Sequence, residues 1–242
     1  MSETVKETDD SSTNEPLHIS IADKLAHEIL DGIWISGTSK KLEDIQSQFG
    51  ISRTVAREAA RLLESLRCVQ LLRGTGIIAM SPETWANLDT RVITWKLQSN
   101  LHKQELAALT ELRLVVEPAA AAGCASRSTI EARTRIAVTG HEMIKAAREN
   151  RLKNFHTLDT QFHTELLKNS GNPLFAELST LVEAVLRGRV DIGLYPSQPK
   201  EEALQAHEQV AQAVLEGNAA NAAAAMKDIV SEVNTALGLS AI

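Results

Sequence analysis

Apolar residues recur at helical spacing along almost the whole chain, and short strand-like runs gather in one place near its N-terminal third. Residues 18–31 set Ile21, Leu25 and Ile29, with Ala22, on one helical face, and Gly32 ends the run. A short helix is predicted over Leu42–Phe49, followed by Gly50-Ile51-Ser52. Ser52 is a good N-cap for a helix over Arg53–Leu66, whose inward face is Val55, Ala59, Leu62, Leu63 and Leu66. The apolar runs Val69–Leu72 and Ile77–Met80 flank Arg73-Gly74-Thr75-Gly76 and predict a β-hairpin. Helix, helix, turn, helix and hairpin within residues 17–80 form a winged helix-turn-helix pattern.

Residues 1–16 lack periodicity and read as a disordered tail. Pro82 marks a boundary, with 81–85 as a linker. Beyond it, helical stretches are predicted at about 84–97, 103–125, 129–150, 153–169, 173–194, 200–216 and 218–238. Gly171-Asn172-Pro173, Pro196–Pro199 and Gly217-Asn218 are among the breaks. The expected fold class is mainly α: an N-terminal winged helix-turn-helix with a small β-hairpin, then an all-α antiparallel helical bundle over 86–242.

Composition sharpens this picture. A chain of 242 residues, 43% hydrophobic, is long enough for one or two domains with buried cores. Two cysteines, Cys68 and Cys124, with no CxxC pair, provide neither a disulfide framework nor a zinc or redox motif. No apolar run reaches the ~20 residues of a membrane helix. The acidic N-terminus is unlike a secretory signal, so a cytoplasmic protein with no membrane partner is expected. The net charge of −6 argues against nucleic acid only until the chain is divided. Residues 1–16 carry one base against five acids, 17–80 carry eight against seven, and 81–242 carry 16 against 19. Within 52–73, five arginines face only Glu58 and Glu64, a local basic stripe.

That stripe is ordered. Arg53, Arg57 and Arg61 are four apart and lie roughly opposite the apolar face. Such a row also suits a solvated helix; inside a winged-helix pattern it suits a reader of the DNA major groove. Arginine binds guanine O6/N7 bidentately or grips phosphate, and residues at the helix start, here Ser52, Arg53 and Thr54, lie nearest the bases. Arg73 and Thr75 on the wing are phosphate or minor-groove candidates, with Gly74 and Gly76 letting backbone approach the duplex.

The bundle carries charges on its apolar faces. Arg113 falls among Leu106, Leu109, Val116 and Ala120, where it must be paired or bind something. Glu117, one turn on, offers a salt bridge; the alternative is a carboxylate clamp for an acidic effector. Arg189 shares a face with Leu178, Val182 and Val185 and is a second effector-binding candidate. Asp159 and His163 are i, i+4, and His207 lies in the stripe of Leu204, Ala211 and Val214. An aspartate and two imidazoles can hold a divalent metal, hydrogen-bond an effector, or simply satisfy one another in a core. A metal-dependent hydrolase using this trio lacks a placed general base and any GxSxG motif, so no enzyme is expected. An architectural DNA binder without an effector would not need these interior charges.

Phe49-Gly-Ile-Ser-Arg-Thr-Val-Ala-Arg-Glu-Ala-Ala-Arg-Leu-Leu-Glu-Ser-Leu66 resembles the FGVSRxxVREALRxLExL signature of GntR-type transcription regulators, and Arg73-Gly-Thr-Gly76 resembles their wing. The resemblance implies operator contacts at Arg53, Arg57 and Gly76. The family's PSER stretch reads Ser39-Lys40-Lys41-Leu42-Glu43 here, which leaves Lys40 or Lys41 as phosphate candidates. Leu112-Arg-Leu-Val-Val-Glu-Pro-Ala-Ala-Ala-Ala122, and Asp159-Thr-Gln-Phe-His163 followed by Ser170-Gly-Asn-Pro173, resemble the FCD effector domain of the FadR subfamily. Trp85-Ala-Asn-Leu-Asp89 with Val92 and Trp95 is similar to the linker of regulators answering to gluconate or galactonate. The resemblance implies a homodimeric regulator, a repressor of sugar-acid catabolic genes, released from double-stranded operator DNA by a small carboxylate. It also implies a divalent metal (Zn, Ni or Mn) at Asp159, His163 and His207, with a fourth histidine in an MxxH motif. That motif here reads Met226-Lys-Asp-Ile229, and isoleucine cannot ligate.

Overall fold

The computed structural model describes residues 15–195, 199–236 and 238. The tail expected over 1–16 lies outside these residues except for its last two. The chain divides into two compact units, Met1–Trp85 and Ala86–Ile242.

The first unit runs α1 (Leu17–Leu30), β1 (Ser39–Lys40), α2 (Leu42–Phe49), α3 (Arg53–Ser65), β2 (Val69–Leu72) and β3 (Gly76–Ala79), then a 3-10 turn at Pro82–Thr84. α1 buries Ile21, Ala22, Leu25, Ala26, Ile29 and Leu30, a stripe set by 3.6-residue periodicity, and packs on α3. Ala56, Ala59 and Ala60 are fully buried on α3, because small side chains let the two helices come close. The inward face of α3 is therefore rotated from the expected one: Val55 and Leu62 are only half-buried, while Ala56 and Ala60 are inside. The strands form an antiparallel sheet in the order β1-β3-β2, with Gln70 opposite Ile78 and Leu72 opposite Gly76. β1 is an addition to the expected hairpin; two polar residues carry no alternation to reveal it.

The stretch 81–85 is not a free linker. Trp85 is buried in the first unit, its indole Nε1–H donating to the Met80 carbonyl (3.1 Å) and its own carbonyl accepting from Arg67 (3.1 Å). The helix expected from residue 84 starts only at Thr90, where Asp89 caps it by accepting the Arg91 N–H at 2.9 Å.

The second unit is all helix among the described residues: α4 (Thr90–Leu97), α5 (His102–Arg127), α6 (Ile130–Arg148), α7 (Leu152–Lys168), α8 (Pro173–Glu177), α9 (Ser179–Asp191), α10 (Glu201–Glu216) and α11 (Ala219–Ala236). The single helix expected over 173–194 is two, meeting at Leu178. The long helix α5 is the spine, packed against α11, α10, α7 and α4. One core cluster joins its C-terminal half to α6, α7, α10 and α11, around Ile136, Met143, Phe162 and Met226. A second joins its N-terminal half to α4, α7 and α9, around Leu97, Leu106, Leu167 and Val185.

Candidate functional site

Gly50, at φ +64°, ends α2 in the left-handed conformation, and Ser52 Oγ accepts the Val55 N–H (3.3 Å) to start α3. This turn leaves Ser52, Arg53, Thr54, Arg57 and Arg61 exposed on one surface. Arg61 is paired with Glu58 at 3.0 Å and Arg53 lies 3.6 Å from Glu43. Arg57 has no ion-pair partner among the described residues. Arg73, Gly74 and Thr75 form the exposed tip of the β2–β3 hairpin.

Gly76 has a structural reason to be glycine. Its φ is +114°, and a Cβ there would come within 2.7 Å of the Lys40 carbonyl oxygen across the β1–β3 pairing. Lys40 itself is drawn inward: Nζ donates to Glu28 (2.5 Å) and Gln48 (3.2 Å) and sits 5.0 Å from the centre of the Trp34 ring. The ammonium expected at phosphate is thus engaged within the fold. Lys41 keeps an exposed side chain, while its backbone N–H donates to Asp44 at 2.8 Å.

In the second unit, Arg113 of α5, Asp159 and His163 of α7, Arg189 of α9 and His207 of α10 all line one cavity of about 110 Å³. Every one of these five side chains is at least nine-tenths buried. Ile229 of α11, standing where the MxxH motif would place a histidine, also lines it. Larger grooves along α10–α11 and α7–α9 are lined mainly by exposed polar side chains and gather no buried charge.

The two arginines differ. Arg113 is committed along one edge: Nε lies 2.5 Å from Glu117 Oε1, and Nη2 3.4 Å from Oε2. Its Nη1 remains buried without a partner. Arg189 accepts no such help. It is 5% exposed, makes no hydrogen bond or ion pair with a described residue, and stacks its guanidinium 4.9 Å from the Tyr195 ring centre. Burial, with Arg113 nearby, pushes the Arg189 pKa down. Of the two roles open to Arg113, the salt bridge with Glu117 is formed; the cation left without an acceptor is Arg189.

The aspartate and imidazoles form a connected group. His163 Nδ1 sits 2.6 Å from Glu117 Oε2 and its Nε2 3.6 Å from Asp159 Oδ1. His207 Nδ1–H donates to the Ala203 carbonyl (2.7 Å), and its buried Nε2, which has no hydrogen-bond partner, lies 3.3 Å from Asp159 Oδ1. Burial would raise the Glu117 carboxyl, but Arg113 and His163 outweigh it and hold it down at about 2. Burial would lower the His163 imidazole, but Glu117 and Asp159 raise it to about 9. Asp159 lies well below the usual carboxylate range because His163 and His207 outweigh its desolvation. The donor atoms of Asp159, His163 and His207 lie within 4.8 Å of one another, a spacing compatible with one metal ion. The fit is to three protein donors, with Ile229 providing none.

Sequence reasoning missed Tyr195, whose hydroxyl donates to Asp159 Oδ2 at 2.8 Å, and the Lys200–Glu232 pair (3.1 Å) at the cavity wall. Tyr195 follows α9 in a segment without periodicity, where nothing indicates which way a side chain faces.

A winged helix-turn-helix with an exposed arginine row, followed by a helical unit with a charged internal cavity, defines a class: regulators that combine a DNA-binding unit with a ligand-binding one. Residues 18–78 match the gntR family of bacterial regulatory proteins, and residues 108–232, just over half of the chain, match the FCD domain. The chain belongs to the GntR family of transcriptional regulators, with an FCD domain as its second unit. It is 29% identical over 206 residues to the galactonate operon transcriptional repressor of Escherichia coli, covering 83% of this chain and 88% of that protein. It is 28% identical over 166 residues to the uncharacterised regulator YieP of the same organism, covering 68% and 72%. A solved GntR structure from Streptococcus agalactiae shares the fold, with 24% identity, a TM-score of 0.51 and coverage of 90% and 99%. The family and these relatives are transcriptional regulators, not enzymes, and the hydrolase alternative finds no support among them.

Proposed function

We propose that the protein is a cytoplasmic, homodimeric repressor that leaves its operator when the helical unit takes up a small hydroxylated carboxylate of the sugar-acid class. The observation that carries the effector reading is Arg189. A deeply buried guanidinium whose Nε is shut off from water and has no acceptor is costly, and a carboxylate meeting its planar fork would remove that cost. Arg113 Nη1, also unpartnered, faces the same cavity and offers a second donor. The likeness to a galactonate repressor supports the same ligand class.

The cavity of about 110 Å³ is below the roughly 300–1,000 Å³ of typical ligand sites. It accommodates the anionic end of a ligand, so binding a whole sugar acid requires it to widen. That requirement is a means of regulation: the effector binds the wider arrangement better and shifts the population toward it. Asp159, His163 and His207 would hold a divalent ion, Zn, Ni or Mn, as a three-donor site. When bound, the ion supplies a Lewis-acidic position for the ligand's carboxylate or hydroxyl oxygens.

On the DNA side, Arg57 is the leading base reader, being exposed and unpaired. Arg53, Arg61, Ser52, Thr54, Lys41 and the Arg73–Thr75 tip complete the contact surface. A two-fold dimer calls for a palindromic operator.

The test is a titration of the protein–operator complex with D-galactonate and D-gluconate, with and without a chelator. Release of operator by either acid at a concentration where acetate does nothing is the expected result. Indifference of the complex to every hydroxy acid tried would overturn the effector reading.

A further inference from the structure

One side chain touches both the free cation and the acid–imidazole group. Tyr195 places its ring 4.9 Å from the Arg189 guanidinium carbon and its hydroxyl 2.8 Å from Asp159 Oδ2. Phe155 meets the ring edgewise and His156 at a tilt, with centroids 6.0 and 4.3 Å away. It lines the cavity and is the only tyrosine of the chain.

We infer that Tyr195 determines which acids the cavity accepts: its ring fixes Arg189 for a carboxylate, and its hydroxyl oxygen receives a hydrogen bond from a hydroxyl of the ligand. Hydroxylated carboxylates are thereby preferred to plain ones of the same length. The inference rests on the anion-site reading above and concerns the same cavity.

Two geometric facts carry it. The guanidinium carbon of Arg189 lies over the Tyr195 ring, 4.9 Å from its centre, and the in-plane N–H edge is what a carboxylate grips. Nε of Arg189 is on that edge and has no partner. The phenol, for its part, must give its proton to Asp159, since an ionised carboxylate only accepts. What remains at the oxygen is acceptor capacity at the cavity wall. A ligand hydroxyl satisfies it; a methylene leaves it desolvated and unpaired, and sites built to hydrogen-bond a hydroxyl reject analogues that lack it.

The experiment is calorimetric titration of the full-length protein with D-galactonate, D-gluconate and hexanoate, all six-carbon monoacids. The wild type is expected to bind at least one hydroxy acid more than about tenfold tighter than hexanoate. Tyr195→Phe keeps the ring and removes the hydroxyl, so that preference should shrink to about threefold or less, with hexanoate affinity nearly unchanged. Tyr195→Leu removes the ring as well and should weaken all three acids by about tenfold or more. Full retention of the hydroxy-acid preference in Tyr195→Phe overturns the assignment while leaving the anion site standing. Failure of the wild type to bind any of the three acids overturns the underlying reading. A readout free of mutation is the near-ultraviolet difference spectrum, in which a single tyrosine reports. Saturation with a bound hydroxy acid should perturb its band, and a spectrum without a tyrosine component counts against the proposal even if a variant fails to fold.

Discussion

Each unit of the molecule carries an arginine beside a glutamate, and the two pairs have opposite physical meaning. Arg53 and Glu43 stand 3.6 Å apart with side chains 64% and 60% exposed, so water and salt screen them and neither is bound to the other at much cost. Arg113 and Glu117 lie 2.5 Å apart with side chains 1% and 2% exposed, where removing one leaves the other uncompensated in a dry interior. The first pair is displayed; the second is enclosed. Recognition of a long polyanion calls for the former, and selective capture of one small anion calls for the latter.

The largest effect should come from breaking the enclosed pair. Arg113→Met is expected to destabilise the helical unit by about 3–5 kcal/mol, because Glu117 stays buried with only His163 to balance it. Arg189→Met at the same cavity should behave differently: melting unchanged or raised, since no acceptor is orphaned, with the response to effector lost. Melting curves and operator-release titrations on both variants decide the matter, and equal destabilisation by the two would erase the distinction between them.

Next in size is the reading face. Arg57→Ala should remove about 1–3 kcal/mol of discrimination between operator and random duplex, with melting unchanged. Competition binding at fixed salt measures it, and an undiminished specificity ratio would exclude Arg57 as a base reader.

A pH effect should separate the enclosed charges from the displayed ones. In chelator-treated protein, His163, raised to about 9, contributes stability that is complete below its ordinary 6.5 and lost as pH rises through 9. Glu117, lowered to about 2, contributes stability present above its ordinary 4.5 and lost as pH falls through 2. Denaturant melts of the wild type between pH 6 and 10 should therefore slope downward, and His163→Gln should flatten that slope. A slope unchanged in the variant would assign it to other groups.

The smallest effect belongs to the displayed pair. Glu43→Ala should alter stability by less than about 1 kcal/mol, a change near the noise of a thermal melt.

Much of this organisation was legible along the chain, for reasons that can be followed residue by residue. Periodicity placed α1, α2, α3 and the bundle helices because burying one face of a helix forces apolar residues to recur. The same rule exposed the arginines at 53, 57 and 61, and it singled out Arg113, Asp159, His163, Arg189 and His207 as charges on faces that should be apolar. It failed at 84–97, where Trp85 has helical spacing to Val92 and Trp95 yet is anchored by the Met80 carbonyl, and Asp89 caps a later start. It failed at β1, too short to show a period, and it carries no sign of the pairing of Lys40 with Glu28 of α1.

By itself, then, the sequence determined the two-unit architecture, the family and the set of residues with unusual chemistry, since each is encoded in local pattern or motif. Tertiary structure decided which partners those residues meet. Whether Arg113 or Arg189 meets an acceptor depends on which helices enclose them, and that is a matter of three-dimensional proximity. Tyr195 reaches Asp159 across 36 positions of chain, a separation to which no local periodicity is sensitive. Long-range partners are chosen by packing, and packing is where a buried charge becomes either a strut or a binding site.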